Sequence, residues 1–527
     1  MTAGATTGPG VTHAGGDIHE NYAAEYDFVV VGSGAGGSVA AAVLAESGAR
    51  VAIVEEGGRF SRRDFNMQEA WANPNLYQEH GNRATDDLSI IILQGRSVGG
   101  GTTVNWTSSF RTPDSVRALW ARRHGVDGLD AATLEPHFAA VEQRLSIGPG
   151  VEDDVNRNNR KLWDGAAKLG WQPELIRRSV KGCARLGYCG MGCPLDAKQS
   201  ALITYVPDAM AAGADLYTDC RARLVETEGR TARAIVIDPL DRALDRPTGR
   251  RMVLHAKRGI VLAGGAINTP ALLLRSHIGN GSGQVGRRTF LHPTVPLLAF
   301  YAEPIEAFYG PPQSVACHHF RDRGDRIGYF FETAPIHPML AALAFPGFGA
   351  AHRHAAERLA YAQATIALLV DGQHDDAGGH VSVGDHGRIK VSYPLGDAHR
   401  EAAVDAIANM ARLQLAAGAT EVMTLHDEPI VIRSEADIAQ IARAPFGPNR
   451  HTLFSAHQMG GCAMGGDPRT SVVNARGLHH EFDNLWITDG SIFPTSLGVN
   501  PQLSIYAHAR LFATEIAKTP APTPAPA

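Results

Sequence analysis

A cluster of glycines and one acid carry the first recognisable chemistry. The run is Gly32-Ser33-Gly34-Ala35-Gly36-Gly37, and Glu55 follows 18 residues after Gly37. Gly32 permits a tight turn. Gly34 has no side chain, so the backbone can approach a pyrophosphate, and Gly37 lets a helix and a strand pack closely. A helix N-terminus placed there offers free N–H groups and a positive dipole end to phosphates. A carboxylate at Glu55 accepts hydrogen bonds from ribose hydroxyls and repels a 2′-phosphate, which argues against NADP. FAD and NAD both remain open on this motif alone.

The elements that would position these residues are legible around them. Residues 26–31 form an apolar, β-branched and aromatic run that reads as a buried parallel strand. Residues 38–47 are rich in Ala, Val and Leu and stop at Gly48, as a helix does. Residues 50–54 read as the next strand, closed by Glu55. Strand, glycines, helix, strand and acid occur in order, which distinguishes the motif from a bare glycine turn.

Three further segments carry the reading forward. Gly95-Arg96-Ser97-Val98-Gly99-Gly100-Gly101-Thr102-Thr103-Val104-Asn105 leaves backbone N–H groups bare for a flat ring or a phosphate. Gly264-Gly265-Ala266-Ile267-Asn268-Thr269-Pro270 follows a strand-like run ending at Ala263. His457-Gln458-Met459-Gly460-Gly461-Cys462-Ala463-Met464-Gly465 leads on to Thr488-Asp489-Gly490-Ser491 and Gly498-Val499-Asn500-Pro501-Gln502. With these in place the sequence resembles the glucose–methanol–choline (GMC) oxidoreductases, from about Tyr26 to Lys518. It looks closest to the cholesterol-oxidase and long-chain-alcohol-oxidase side of that family.

The resemblance implies an α/β fold: a discontinuous, Rossmann-like FAD-binding domain with an inserted α+β substrate domain on an antiparallel sheet. The expected FAD-binding pieces are residues 25–115, 200–300 and 446–518; residues 116–199 and 301–445 would form the substrate-binding and cap regions. The strands expected in the second insert lie at 364–370, 379–383 and 388–393, with a helix over 397–417. The resemblance puts Gly32, Gly34 and Gly37 on the FAD pyrophosphate and Glu55 on the adenosine ribose. It puts the backbone around Ala222 at the adenine, and Gly100 and Asn105 near the isoalloxazine. Asp489, Gly490, Pro501 and Gln502 would hold the ribityl and pyrimidine side. Relatives with a histidyl–flavin bond carry His where this chain has Val104, so FAD is expected to be non-covalent.

The implied chemistry is oxidation of an alcohol by hydride transfer to flavin N5. The family's active-site pair maps onto His457 and Asn500. Histidine suits a base because its reference pKa, about 6.5, lies near working pH; Asn500 can orient the alcohol oxygen without charge. A redox-neutral lyase of the hydroxynitrile-lyase type is the alternative. Glu332 has two readings, a cavity carboxyl or a structural one, and His292 reads as structural. Phe330, Phe331, Met339, Leu340, Leu343, Phe345 and Phe348 are expected to line an apolar pocket for a bulky or long-chain alcohol. Oxygen or another acceptor would reoxidise the flavin. Cys183, Cys189 and Cys193 fall within eleven residues and could ligate an iron–sulfur cluster or zinc. They lack a CxxC spacing and a fourth ligand, so the expectation is no metal site, with the iron–sulfur alternative left open.

Composition excludes other classes. Of 527 residues, 44% are hydrophobic and 20% charged, with net charge −5 and no basic run, so nucleic acid and anionic membranes are poor partners. No apolar stretch reaches membrane-spanning length. Six cysteines make no disulfide framework, and a cytoplasmic location follows. Residues 1–24 are expected to be a flexible tail and 519–527, alternating Pro with Ala and Thr, a disordered one.

Overall fold

The computed structural model describes residues 8–374 and 378–519. The first sheet is built from β1 (Thr12–Ala14), β2 (Tyr22–Val31), β3 (Val51–Val54), β4 (Asp215–Thr218), β5 (Cys220–Glu228), β6 (Thr231–Asp241) and β7 (Met252–Leu262). Its order is β1-β4-β3-β2-β7-β6-β5. Pairing is parallel from β1 to β7 and antiparallel across β7, β6 and β5. Helix α1 (Ala35–Glu46) begins where β2 ends, and α2 (Gly265–Ser276) begins just after β7. Every residue of β3 is buried, as its unbroken apolar run requires when helices cover both faces.

The chain then builds a second sheet, antiparallel except for one short parallel pairing of Phe454–Ser455 with Ile91–Ile92. Its centre is β8 (Thr294–Phe300), β9 (Gly328–Thr333) and β10 (Ala362–Val370), flanked beyond β8 by β11 (Glu421–Thr424). All three central strands are buried along their whole length. A sheet with one wet face would alternate apolar with polar; these strands do not, and α3 (Asp397–Ala416) packs against one side of them. The expected helix is there almost to the residue. The expected strands at 379–383 and 388–393 form a hairpin, but in a separate four-stranded sheet with Arg287–Phe290 and Met459–Gly460.

The last segment returns to the first sheet. β12 (Leu485–Ile487) pairs parallel with β7, and α4 (Gln502–Ile516) packs on α1. The fold is therefore a mixed α/β one in which distant stretches of chain complete a Rossmann-like sheet. Two hydrophobic cores follow the two large sheets.

Residues 8–24 differ from the flexible tail expected over 1–24. Thr12–Ala14 pairs with Leu216–Thr218. The Val11 backbone N–H donates to Asp215 Oδ1 at 2.8 Å, and His13 stacks on Tyr217 with ring centroids 4.6 Å apart. A parallel edge strand with unpaired backbone groups is a template for one more strand, and this segment supplies it. Residues 1–7 and 520–527, parts of the two expected tails, lie outside the described residues.

Candidate active site

One cavity of about 1120 Å³ runs from the first glycine loop to the second sheet. It exceeds the roughly 300–1,000 Å³ usual for one small ligand, as room for a dinucleotide beside a substrate requires. Gly32, Gly34, Glu55, Gly100, Asn105, Ala222, Asp489, Gly490, Asn500, Pro501 and Gln502 all lie on its wall, and His457 opens onto it. Gly37 does not line it; it sits behind the loop.

The glycines divide the work as their positions suggest. Gly32 has φ +100°, a conformation side chains resist. A Cβ on Gly37 would fall 2.0 Å from the Gly32 carbonyl oxygen, so only glycine lets α1 sit this close to β2. A Cβ on Gly34 would meet nothing nearer than Gly100 Cα at 3.9 Å, because that side faces the cavity. Gly34 also caps the N-terminus of α1.

Glu55 is buried at the end of β3. Its Oε2 accepts from the Ser33 N–H (3.1 Å) and Oγ (2.6 Å), and its Oε1 from the Gly57 N–H (2.9 Å). Burial pushes its pKa up to about 7 against these donors. Its neighbour Glu56 escaped the sequence reading. Burial would raise Glu56, but Arg221 and Arg96 outweigh that and hold it below the usual range. Arg83 was also missed. It is a buried cation on the cavity wall, donating to Gln94 Oε1 (2.6 Å) and to Asn268 Oδ1 (2.9 Å) in the Gly264–Pro270 motif. Its Nε also donates to Glu79 Oε1 four residues earlier, but the contact with Asn268 joins distant parts of the chain and has no local signal.

Asp489 ties the C-terminal segment to α2. Its Oδ2 accepts from the Gly265 N–H (2.8 Å) and Thr269 Oγ1 (2.5 Å), and its Oδ1 from the Ser491 N–H (2.8 Å). Burial raises its pKa. Asn105, at the end of the short helix Gly101–Val104, donates to Gln502 Oε1 at 2.5 Å; Gln502 in turn donates to the Ser108 carbonyl at 2.8 Å. The glycine backbone open at Gly34, the buried acid and the size of the cavity together fit a bound dinucleotide.

At the other end His457 Nε2 and Asn500 Nδ2 lie 3.3 Å apart. Asn500 also stands 3.3 Å from Glu332 Oε2, which accepts from Gln313 Nε2 at 2.7 Å; Gln313 is held by Ser108 Oγ at 2.7 Å. Glu332 sits on β9 opposite Ile366, and burial pushes its pKa up to about 8. Its Oε1 has no partner. The cavity reading of Glu332 therefore prevails over the purely structural one. Gln313 was not foreseen; it follows two prolines, with nothing in its surroundings to mark it. Burial lowers the pKa of His457 to about 4.

The apolar segment expected to line the pocket does not. Phe330, Phe331 and Phe345 are core residues, and none of the seven reaches the cavity. Leu343, on the helix Pro338–Ala344, and Phe348, just before the helix Gly349–Glu357, are 76% and 91% exposed. Core strands and pocket walls share one composition, which is why the sequence misplaced them. The apolar part of the cavity wall includes instead Ile366, Leu368 and Phe454, with Val104 and Trp106.

Cys183, Cys189 and Cys193 are free, half-buried thiols. Lys198 Nζ, fully enclosed, donates to the carbonyls of Thr103, Asn105 and Cys189, tying that loop to the Gly101–Val104 helix. Among the described residues no group of three or more His, Cys, Asp or Glu is arranged to hold a metal ion.

Comparison with known proteins decides the family. The N-terminal model of the GMC oxidoreductases matches residues 26–294 and the C-terminal one residues 376–509. The chain belongs to the GMC oxidoreductases. It is similar to an uncharacterised GMC-type oxidoreductase of Mycobacterium tuberculosis, 32% identical over 492 residues, covering 92% of this chain and 74% of that one. A long-chain-alcohol oxidase of Arabidopsis thaliana is 29% identical over 531 residues, 95% of this chain and 67% of its own. Among solved structures, pyridoxine 4-oxidase from Mesorbium loti superposes with TM-score 0.67 at 19% identity, over 93% of this chain and 98% of that one. This GMC member is thus an FAD-dependent oxidoreductase with the family's two-part fold. Among the described residues no helix is long and apolar enough to cross a membrane.

Proposed function

We propose that this GMC oxidoreductase oxidises an alcohol to an aldehyde or ketone, with His457 and Asn500 at the alcohol oxygen. The observation that carries the reading is the 3.3 Å pairing of His457 with Asn500 at one end of a cavity whose other end is the glycine loop. Bound FAD supplies the hydride acceptor. The glycines, Glu55, Ala222, Gly100, Asn105, Asp489, Gly490, Pro501 and Gln502 would hold it along the wall they share.

The alcohol is read as bulky or long-chain and apolar. The long-chain-alcohol oxidase relatives support this, as do the walls at Ile366, Leu368 and Phe454. Oxygen is the acceptor those oxidases suggest. The cytoplasmic placement remains part of this reading. The sequence makes His457 the proton acceptor. A second reading, favoured by the partnerless Oε1 of Glu332, gives that role to the carboxyl.

FAD is proposed to be non-covalent, because Val104 offers no nucleophile on the cavity wall. Acid precipitation should release yellow flavin into the supernatant; colour held in the pellet would count against this. The function itself is tested by adding alcohols anaerobically, then admitting oxygen. Long-chain or bulky alcohols should bleach the flavin fastest, and oxygen should restore it. A flavin that stays oxidised while substrate is consumed would support a lyase instead.

A further inference from the structure

The cavity wall is strongly charged at one place. Apart from Ala456, the lining residues with exposed side chains lie in two facing segments, 79–88 and 386–390, together with Arg223. The segments touch, since the Asp86 N–H donates to the Val391 carbonyl at 2.8 Å. The turn Asp385–Gly387 joins the hairpin strands Gly379–Val383 and Ile389–Ser392, and His386, Arg388 and Lys390 line the cavity there. Arg275, in the last turn of α2, stands just behind: a Cβ on Gly387 would lie 3.7 Å from its Nε. That Nε is buried without a hydrogen-bond partner. Among the described residues no carboxylate forms an ion pair with Arg275, Arg388 or Lys390. The other charges nearby offset one another, with Glu56 on Arg221 and Arg96, and Asp238 3.7 Å from Arg223. Burying a cation without a counter-charge is costly, so this rim is suited to an anion.

We propose that this basic rim is the entrance at which the apoprotein captures FAD by its diphosphate and passes it inward to the glycine loop. The FAD dependence of the family underlies this role, whichever alcohol is oxidised. The chain carries a net charge of −5, which repels an anion at long range. A cleft edged by one sign of charge focuses the field locally and raises association rates by about 10–10³-fold. The wall is continuous from the rim inward. Arg275 senses the charge of Arg221; the adjoining Cys220 N–H donates to the Glu55 carbonyl at 2.9 Å; and the Glu55 carboxylate holds Ser33 of the glycine loop. The loop meets the seated pyrophosphate with backbone groups, so charge at the rim acts on the arrival of FAD rather than on its departure.

FAD is stripped from the full-length holoenzyme and added back, and its association is followed by flavin fluorescence in stopped flow. The parent rate should fall steeply as salt is raised, because charges beyond about 8–10 Å are screened near physiological ionic strength. The double variant Arg388→Gln/Lys390→Gln should associate about 10-fold more slowly at low salt and lose most of the salt dependence. Its holoenzyme should release FAD at the parent rate. Arg275→Gln should also slow association, and Asp86→Asn, which removes an acid from the facing rim, should speed it. A double variant that takes up FAD at the parent rate in low salt overturns the proposal. So does a slowing that is equally large at high salt, which marks a damaged cavity rather than a lost charge. Faster release with unchanged association also overturns it, since the cations would then hold the seated cofactor. ADP titrated into the holoenzyme should not bind; binding that the double variant abolishes would make the rim a site for a free nucleotide instead. Should the double variant fail to refold without FAD, Asp86→Asn decides alone, and no gain in its low-salt rate overturns the entrance.

Discussion

His457, Asn500 and Glu332 form one polar group around the point where an alcohol oxygen would sit, and their removal should be read at that scale. His457→Ala should slow anaerobic flavin reduction about 10²–10³-fold, the usual cost of losing one preorganised donor. FAD should stay bound, since the glycine loop and Glu55 are untouched. Asn500→Ala should slow it too, and the two losses should not add, because both act on one oxygen. Retention of the parent rate in FAD-loaded His457→Ala, by stopped flow, would remove His457 from the chemistry. The pH profile separates the two proton acceptors. With Glu332 as acceptor, the reduction rate should climb with pH and level off above about 8; with His457 it would level off above about 4. Glu332→Gln should cost about 10²–10⁴-fold and abolish the climb. The same carboxyl bears on stability. Its folded pKa is raised, so the folded state holds the proton more tightly. The stabilisation is complete below the unfolded value, about 4.3, and is lost as pH rises towards 8. The Tm of the apoprotein should fall across that window, and Glu332→Gln should flatten the fall.

At the scale of elements, the turn from β2 into α1 separates folding from binding. A Cβ at Gly36 would lie 2.1 Å from the Thr488 carbonyl oxygen, in the segment that follows β12. A Cβ at Gly34 would project into the cavity. Gly36→Ala should therefore push α1 off its neighbour and destabilise the protein by several degrees in Tm. Gly34→Ala should fold with the parent's apoprotein Tm yet bind FAD more weakly, because the methyl occupies the pyrophosphate's approach. Calorimetry of both apoproteins with a flavin titration checks this, and equal FAD affinity in Gly34→Ala and the parent would refute the placement. Asp489 works between elements: it holds Gly265 and Thr269 of α2 from a loop more than 200 residues later in the chain. Its carboxylate is satisfied by protein donors, so what it sets is the shape of the turn at Gly264–Gly265.

Over the whole molecule, the N-terminal segment closes the edge of the first sheet. A shortened protein beginning at residue 17 loses the β1 pairing, the His13–Tyr217 stack and the Val11–Asp215 hydrogen bond. It should unfold at lower temperature, while its FAD-loaded form reduces at the parent rate, since none of these residues lines the cavity. An unchanged Tm would show that the edge strand contributes nothing. The two cores meet at the cavity, with the first sheet bringing the glycines and Glu55, and β9 and β10 bringing Glu332 and Ile366.

The local devices were legible in the sequence because their physics is local. A tight turn, a helix start and an acid at a strand end are written in neighbouring residues, so the glycine motif, Glu55 and the helix expected over 397–417 could be read directly. The His457 and Asn500 pairing was legible through motif resemblance, and the structure brings the two within 3.3 Å. Partners joined only by folding were not legible: Arg83 with Asn268, Gln313 with Glu332, and Gly498 with His292. Nor was the side of the second sheet that walls the cavity. Its central strands are buried on both faces, so composition could not separate Phe330, in the core, from Ile366, on the wall. That choice belongs to the tertiary structure, because register and packing, rather than hydrophobicity, decide which face of a doubly buried strand meets the cavity.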